Sequence, residues 1–310
     1  MATKTLIIGG GGYIGSHLAV ALIAAGRNVT VLGRGAVSPN ALPKEAIYIS
    51  GNFSDLNVIR PLLEVHSEVI HLAYASTPNT SVDNALNDLR ENLYPSVQLF
   101  AEVAKSGGVL ILVSSGGTVY GESVSLPISE GHPTMPISPY GVTKLTLENY
   151  AYLYSMTHDL KYICVRPSNA YGPGQRPFMG QGFIATALAS AMKGQLVSIF
   201  GKTGTVRDYI YISDLVHGIV CALIHGRRSE TYNIGSGTGL TNLEIINTAR
   251  PLLEEIGYSV FLKFLPERTL DVRVNILDSS KLQIHTGWKP CVSIETGLQL
   301  TRDWVKACYG

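Results

Sequence analysis

The hydrophobic positions of the first half of the chain fall into short runs separated by amphipathic stretches. Leu6–Gly9, Asn28–Leu32, Ala46–Ser50, Val69–Ala73, Val109–Ser114 and Tyr162–Arg166 are rich in Val and Ile and too short for helices, the pattern of buried strands. Between them, Ser16–Ala25 carries Leu18, Leu22 and Ala25 at helical spacing, and Val82–Lys105 and Val142–Thr157 predict longer helices. Strand and helix in this succession predict a parallel sheet covered on both faces, the doubly wound α/β class. After Arg166 the pattern changes. Residues 167–177 are dense in Pro, Gly, Ser and Asn and predict an ordered loop. Beyond it come a helix (Phe183–Met192), a short strand (Leu196–Phe200), a strand-to-helix passage (Arg207–Leu223) and a strand, Glu230–Ile234, returning to the sheet. Thr241-Asn-Leu-Glu244 is a capping box opening a helix to about Glu255, and a last helix covers about Ile294–Ala307. The expected division is 1–167 as one domain and 168–310 mainly as a smaller, mixed α/β lobe.

Composition narrows the class. The 310 residues are 45% hydrophobic and only 15% charged, against about 25% charged in an average soluble domain, which excludes intrinsic disorder. The 24 Lys and Arg nearly cancel the 23 Asp and Glu, so no basic face for nucleic acid is expected. The four cysteines form no CxxC pair and the eight histidines no HxH or HExxH spacing. Neither a disulfide framework nor a metal site is expected, and a reducing, cytoplasmic setting fits. No apolar run approaches the ~20 residues that span a bilayer, and the N-terminus has no signal-peptide pattern. The expectation is a soluble cytoplasmic protein without membrane partners.

Thirty-two glycines exceed the usual share, and their clustering is informative. Leu6-Ile-Ile-Gly-Gly-Gly-Gly-Tyr-Ile-Gly15 sets Gly9, Gly12 and Gly15, with Tyr13 and Ile14, between the first strand and the first helix. Such a loop gives a sharp turn, backbone able to touch a pyrophosphate, and a helix N-terminus with unpaired N–H groups facing it. With strand and helix both in place, the first domain reads as a Rossmann domain that binds a dinucleotide. At the end of the second strand, where NAD binders usually carry an acidic residue, Gly33 is followed by Arg34. Glycine makes room for a 2′-phosphate and arginine can pair with it through its fork, so NAD(P) is expected with NADP favoured over NAD.

Ser138-Pro-Tyr140-Gly-Val-Thr-Lys144 opens a helix with Tyr140 and Lys144 one turn apart on one face. Tyrosine at its ordinary pKa of ~10 is roughly 0.1% ionised at pH 7, and bringing it near 7 needs about 4 kcal/mol. A cation at about 4 Å with an effective dielectric near 20 supplies energy of that order. Tyr140 is therefore a candidate base, made usable by Lys144 together with an oxidised nicotinamide.

These features, with Gly51-Asn52-Phe53, Val69-Ile-His-Leu-Ala73, Asn92, Ser114–Gly121, Arg166–Gly172, Arg207-Asp-Tyr-Ile-Tyr211, Arg268-Thr-Leu-Asp271 and Gly287-Trp288, span nearly the whole chain. In them it resembles the NAD-dependent epimerase/dehydratase family of extended short-chain dehydrogenases/reductases. The resemblance implies a nucleotide-sugar 4-epimerase acting on a UDP-sugar through transient oxidation at C4, with Asn52, Phe53, Leu72, Ala73 and Asn92 added to the cofactor site. It assigns Asn169, Phe200, Arg207, Tyr209, Arg268 and Asp271 to the nucleotide, the two arginines gripping the pyrophosphate as charge and fork geometry suit. It also implies a homodimer through Val82–Lys105 and Val142–Thr157. One position departs from the pattern: the family's catalytic Ser/Thr, four residues before the tyrosine of Val119-Tyr120-Gly121, is Gly116 here. Thr118 is the first replacement, since two residues along an extended strand return to one face; Ser115 is the alternative. The Asp-Glu pair of the dehydratases is absent, Gly117 and Thr118 standing there. Asn275 matches a position where some relatives carry a pocket-closing tyrosine, so N-acetylhexosamine or uronic acid substrates are expected alongside, or in preference to, plain hexoses. The rival activities are an NADPH-dependent 4-ketoreductase, which Arg34 favours, and a non-catalytic dinucleotide sensor, against which the Tyr140/Lys144 pair argues.

Overall fold

The computed structural model describes residues 2–268 and 271–310; Thr269 and Leu270 of the Arg268–Asp271 motif lie outside the described residues. Strands β1 (Lys4–Ile8), β2 (Asn28–Gly33), β3 (Ile47–Ser50), β4 (Glu68–His71), β5 (Val109–Val113) and β6 (Lys161–Pro167) lie within one or two residues of the predicted runs. The chain then leaves the sheet through β7 (Asn169–Tyr171), β8 (Val197–Phe200) and β9 (Val206–Tyr211) and returns as β10 (Glu230–Ile234). The seven sheet strands are ordered β10-β6-β5-β4-β1-β2-β3 and all pair in parallel. Alternate side chains of each strand enter separate layers: Ile7, Val31, Ile70, Ile111 and Ile163 one, Leu6, Ile8, Leu32, Val69 and Leu110 the other. Burial on both faces is why these strands read as continuous apolar runs.

The first layer is closed by α1 (Tyr13–Ala24) and α8 (Ile212–His225), and the second by α2 (Leu56–Val65), α5 (Tyr94–Ser106) and α6 (Pro139–His158). The single helix expected over Val82–Lys105 is instead broken. It consists of α3 (Pro78–Asp83), α4 (Ala85–Asp88), a π-helical turn over Leu89–Leu93, and α5. Asn84 leaves the helical region (φ −149°, ψ 69°) and its side chain accepts from the Asn87 N–H. At the far end Pro95 has no N–H to give to the carbonyl four residues before it, so the turn widens. The widened turn buries Asn92.

Beyond α7 (Phe183–Met192), β9 forms the centre of a small sheet. It pairs with β7 in parallel, with β11 (Gly239–Thr241) antiparallel, and with β13 (Val274–Asn275) in parallel; β12 (Leu262–Leu265) pairs with β8. Strand β7 falls inside the segment read as a loop, three residues being too few for a period to show. The capping box is formed: Thr241 Oγ1 accepts from the Glu244 N–H, and the Glu244 carboxylate accepts from the Thr241 N–H at 2.7 Å.

Candidate active site

A cleft of about 1000 Å³ lies along the C-terminal ends of β1, β4, β5 and β6 and continues to β9 and Asp271, the place where open parallel sheets bind ligands. At one end is the glycine loop. Gly9 has φ +81°, and a Cβ there would lie 2.6 Å from the Ala73 nitrogen; a Cβ on Gly15 would lie 2.4 Å from the Gly10 Cα. Gly12, the N-cap of α1, meets nothing closer than 3.4 Å and has no side-chain cap. Two glycines therefore shape the turn, while the third leaves the helix N-terminus open to the cleft. That arrangement suits a pyrophosphate. Tyr13, Ile14 and Leu72 line the cleft beside it, and the buried Tyr13 hydroxyl has no partner. Burial pushes the Tyr13 phenol well above its ordinary value, with Tyr211 and Tyr171 adding to the shift.

The other residues expected at the cofactor are placed differently. Ala73 stands behind Gly9 as the wall that forbids a side chain there. Asn92 Oδ1 accepts from the Ala75 N–H at 2.7 Å, holding the segment after β4. Asn52 accepts from the Ser54 N–H, and the Phe53 ring lies 5.1 Å from that of His71; neither lines the cleft. Arg34 is exposed and makes no ion pair among the described residues. The room left by Gly33 is taken by Tyr48, whose hydroxyl would lie 2.6 Å from a Cβ at that position. Gly33 thus makes room for Tyr48, not for a 2′-phosphate.

Ser138 caps α6 by accepting from the Gly141 N–H at 3.2 Å, and Pro139 starts it. This sets Tyr140 and Lys144 on the cleft. Lys144 Nζ donates to the Val113 carbonyl at 2.9 Å and stands 4.1 Å over the Tyr74 ring. Burial brings the Lys144 ammonium down to about 8, against the opposing influence of Cys164, Asp88 and Glu148. Tyr140 is held above its ordinary value by burial and then by the Asp88 charge, with the nearby Ser115 hydroxyl acting the other way. Lys144 does not figure among the groups that shift the Tyr140 phenol. Its Nζ lies 5.7 Å from the Tyr140 ring centroid and sits over Tyr74 instead.

Gly116 cannot carry the family's side chain: a Cβ there would lie 2.5 Å from Leu277 Cδ1 and 2.9 Å from the Arg166 carbonyl oxygen. The segment beyond is a turn closed by Thr118 N–H to the Ser115 carbonyl at 3.3 Å, so strand alternation does not apply. Ser115 faces Tyr140, whereas Thr118 Oγ1, though its residue lines the cleft, is buried without a partner. Asn275 is outside the cleft lining. It is 1% exposed and donates through Nδ2 to the Gly116 carbonyl at 2.9 Å, bracing the wall from behind. An asparagine smaller than tyrosine therefore opens no sugar space at that position.

At the opposite end Asn169, Arg207, Tyr209, Arg268 and Asp271 line the cleft. Arg207 and Arg268 form no ion pair among the described residues, leaving two guanidinium forks for a diphosphate. Phe200 supports Arg268, whose guanidinium lies 3.7 Å over its ring, but does not itself line the cleft. Tyr209 accepts from Asn242 Nδ2 at 3.1 Å. Sequence reasoning missed Tyr74 and the buried Asp88; the one available signal is that Asp88 precedes Asn92 by one helical turn. Among the described residues no group of three or more His, Cys, Asp or Glu could hold a metal, and no helix is long and apolar enough to cross a membrane.

The chain is similar over its length to the UDP-glucose 4-epimerase of Mycolicibacterium smegmatis (31% identity, 98% of each chain covered). It is equally similar to a dTDP-4-dehydro-6-deoxyglucose reductase of Escherichia coli (32% identity, 94% of each). Its fold is similar to the crystal structure of Thermotoga maritima UDP-glucose 4-epimerase with UDP-glucose, with a TM-score of 0.91, 33% identity and 99% of each chain covered. The model of the NAD dependent epimerase/dehydratase family matches residues 5–235, and with this site geometry beside it the chain belongs to that family.

Proposed function

We propose that the protein is a UDP-sugar 4-epimerase. The observation that carries this reading is the convergence in one cleft of Tyr140, Lys144 and Ser115 between the open glycine loop and Arg207 and Arg268, which form no ion pair among the described residues. Gly12 and the N-terminus of α1 would hold the pyrophosphate of NAD(P), with Tyr13, Ile14 and Leu72 beside it and Lys144 at the nicotinamide ribose. Bound there, the cofactor supplies a reversible hydride acceptor. Tyr140 takes the proton of the sugar 4-hydroxyl and later returns it, and Lys144, charged below about pH 8, steadies the phenolate. Ser115, rather than Thr118, donates to the sugar oxygen. Arg207 and Arg268 hold the diphosphate, leaving the sugar free to turn over. Residues 1–167 serve mainly the cofactor and 168–310 mainly the nucleotide sugar.

NADP remains favoured over NAD, now on Arg34 alone, exposed beyond β2 and without an ion pair among the described residues. The same residue keeps a second reading, an NADPH-consuming 4-ketoreductase. Four free thiols suit a cytoplasmic location, and the apolar outer face of α6, with Tyr94 exposed at the start of α5, suits a homodimer. The test is incubation of the purified protein with UDP-hexoses, N-acetylhexosamines and uronic acids, without added cofactor, followed by NMR of the sugars. A 4-epimer without added cofactor is the expected result. Turnover of 4-keto sugars that appears only with NADPH moves the assignment to the reductase, and a bound dinucleotide with neither activity leaves a sensor.

A further inference from the structure

Asp88 is 1% exposed and forms no ion pair among the described residues. Four donors converge on its carboxylate: Thr143 Oγ1 at 2.6 Å, Asn92 Nδ2 at 3.1 Å, the Tyr74 hydroxyl at 3.3 Å and Ser76 Oγ. Asn92 is fixed in that orientation because its Oδ1 accepts from the Ala75 N–H. The donors come from three walls of the cleft: the segment after β4, the π-helical turn, and α6 at the residue before Lys144. Tyr74, tied to Asp88 by its hydroxyl, packs its ring between the reacting groups. Lys144 Nζ lies 4.1 Å from the ring centroid, and Tyr140 meets it edge-on at 4.8 Å and 66°.

Among the described residues Lys144 forms no ion pair; its partners are the Val113 carbonyl and the Tyr74 ring face. The titratable groups facing it are His71 and Tyr74 from β4 and the segment after it, Asp88 from α4, Tyr140 and Glu148 from α6, and Cys164 from β6. Glu148 is spent on Arg166, at 2.5 Å. Asp88 is therefore the carboxylate left without a cation, and the ring it holds is the surface on which the ammonium rests. A desolvated cation over an aromatic face is held by the ring quadrupole, and a ring pinned by a charged hydrogen bond cannot swing away.

We propose that Asp88 and Tyr74 are a positioning unit for the reacting pair: Asp88 fixes the Tyr74 ring through its hydroxyl, and the ring face holds Lys144 charged and in place beside Tyr140. The unit rests on the reading of Tyr140 and Lys144 as the proton-transfer pair. Neither residue needs to touch the sugar to act.

The test follows the lysine Cε resonances of the full-length protein, as purified, through a pH titration, with Lys144 assigned by its loss in Lys144→Met. In Tyr74→Leu and in Asp88→Asn the Lys144 midpoint falls by half a unit or more, about threefold in its ionisation equilibrium. In Tyr74→Phe, which keeps the ring, it falls less than in Tyr74→Leu. With UDP-glucose, Tyr74→Leu lowers kcat about tenfold or more with KM within about threefold, the split expected of a group acting on the chemical step, and Tyr74→Phe, which keeps the ring but loses its tie to Asp88, recovers only part of the loss. If the midpoint is unmoved in folded Tyr74→Leu, the unit does not exist. Should Asp88→Asn fail to fold, Tyr74→Leu, at the cleft surface, decides alone. If midpoints shift as described while the wild type converts no UDP-sugar, the unit stands and the assigned activity falls.

Discussion

Replacing Tyr140 by phenylalanine removes one oxygen and keeps the ring that packs against Tyr74. Tyr140→Phe is expected to lose more than about a hundredfold in kcat, roughly 2.7 kcal/mol of barrier, while retaining cofactor and thermal midpoint; steady-state rates and the cofactor released on denaturation check both. Beside it, Ser115→Ala should cost more than Thr118→Ala, because the Ser115 hydroxyl acts on the phenol and the Thr118 hydroxyl is buried away from it. The reverse ranking in kcat would return the hydroxyl to Thr118. Tyr140 and Lys144 were legible in the sequence because their chemistry depends on residue type and an i,i+4 spacing. The choice between Ser115 and Thr118 was not, because it turns on a turn at 115–118 and on Leu277, far away in the chain, filling the space beside Gly116. Asn275 misled for the same reason: its identity says small and polar, and only packing shows that it faces the Gly116 carbonyl.

Strands with both faces buried announce themselves, since every position is apolar, and the six early strands and β10 were readable for that reason. Elements broken by backbone chemistry were not. The apolar period through Val82–Lys105 continues across Asn84 and the π-helical turn, although the backbone does not. That break matters to the site, because it is what turns Asn92 and Asp88 toward the segment after β4. The glycine loop carries its own element-scale prediction. At Gly15 a methyl group would meet the Gly10 backbone at 2.4 Å, so the first turn of α1 has to move away from β1. Gly15→Ala is expected to lose most of its bound dinucleotide, measured as cofactor per chain after gel filtration, since the N–H groups at the helix start no longer converge. Full retention in the variant would show that the loop does not hold the pyrophosphate.

At the scale of the whole molecule two of the three helices that cover the second layer, α5 and α6, leave an unusual surface. On α6, Val142 (47% exposed), Tyr152 (59%), Leu153 (48%) and Met156 (70%) recur at helical spacing on the side away from Leu147 and Ala151, which are buried against the sheet. Tyr94 (73%) and Leu89 (41%) extend the patch at the start of α5 and in the π-helical turn. Apolar groups gathered in this way are rare on monomers and mark association surfaces. A second copy meeting the same face through a two-fold axis would cover both helix pairs, and a stable dimer needs about 800 Å² from each partner, within reach of a 20-residue helix with its neighbour. The reacting residues sit at the N-terminal end of α6, so docking along its later turns would leave the cleft open. Light scattering at micromolar concentration is expected to give twice the chain mass of 33.3 kDa. The double substitution Leu153→Asp, Met156→Asp places two charges on the face, one turn apart, where burial would be costly. It should give the single-chain mass with cofactor retained, as neither residue touches the cleft. A wild type already at 33.3 kDa, or a double variant still at twice that mass, would place the contact elsewhere and leave this apolar face without a second copy to cover it.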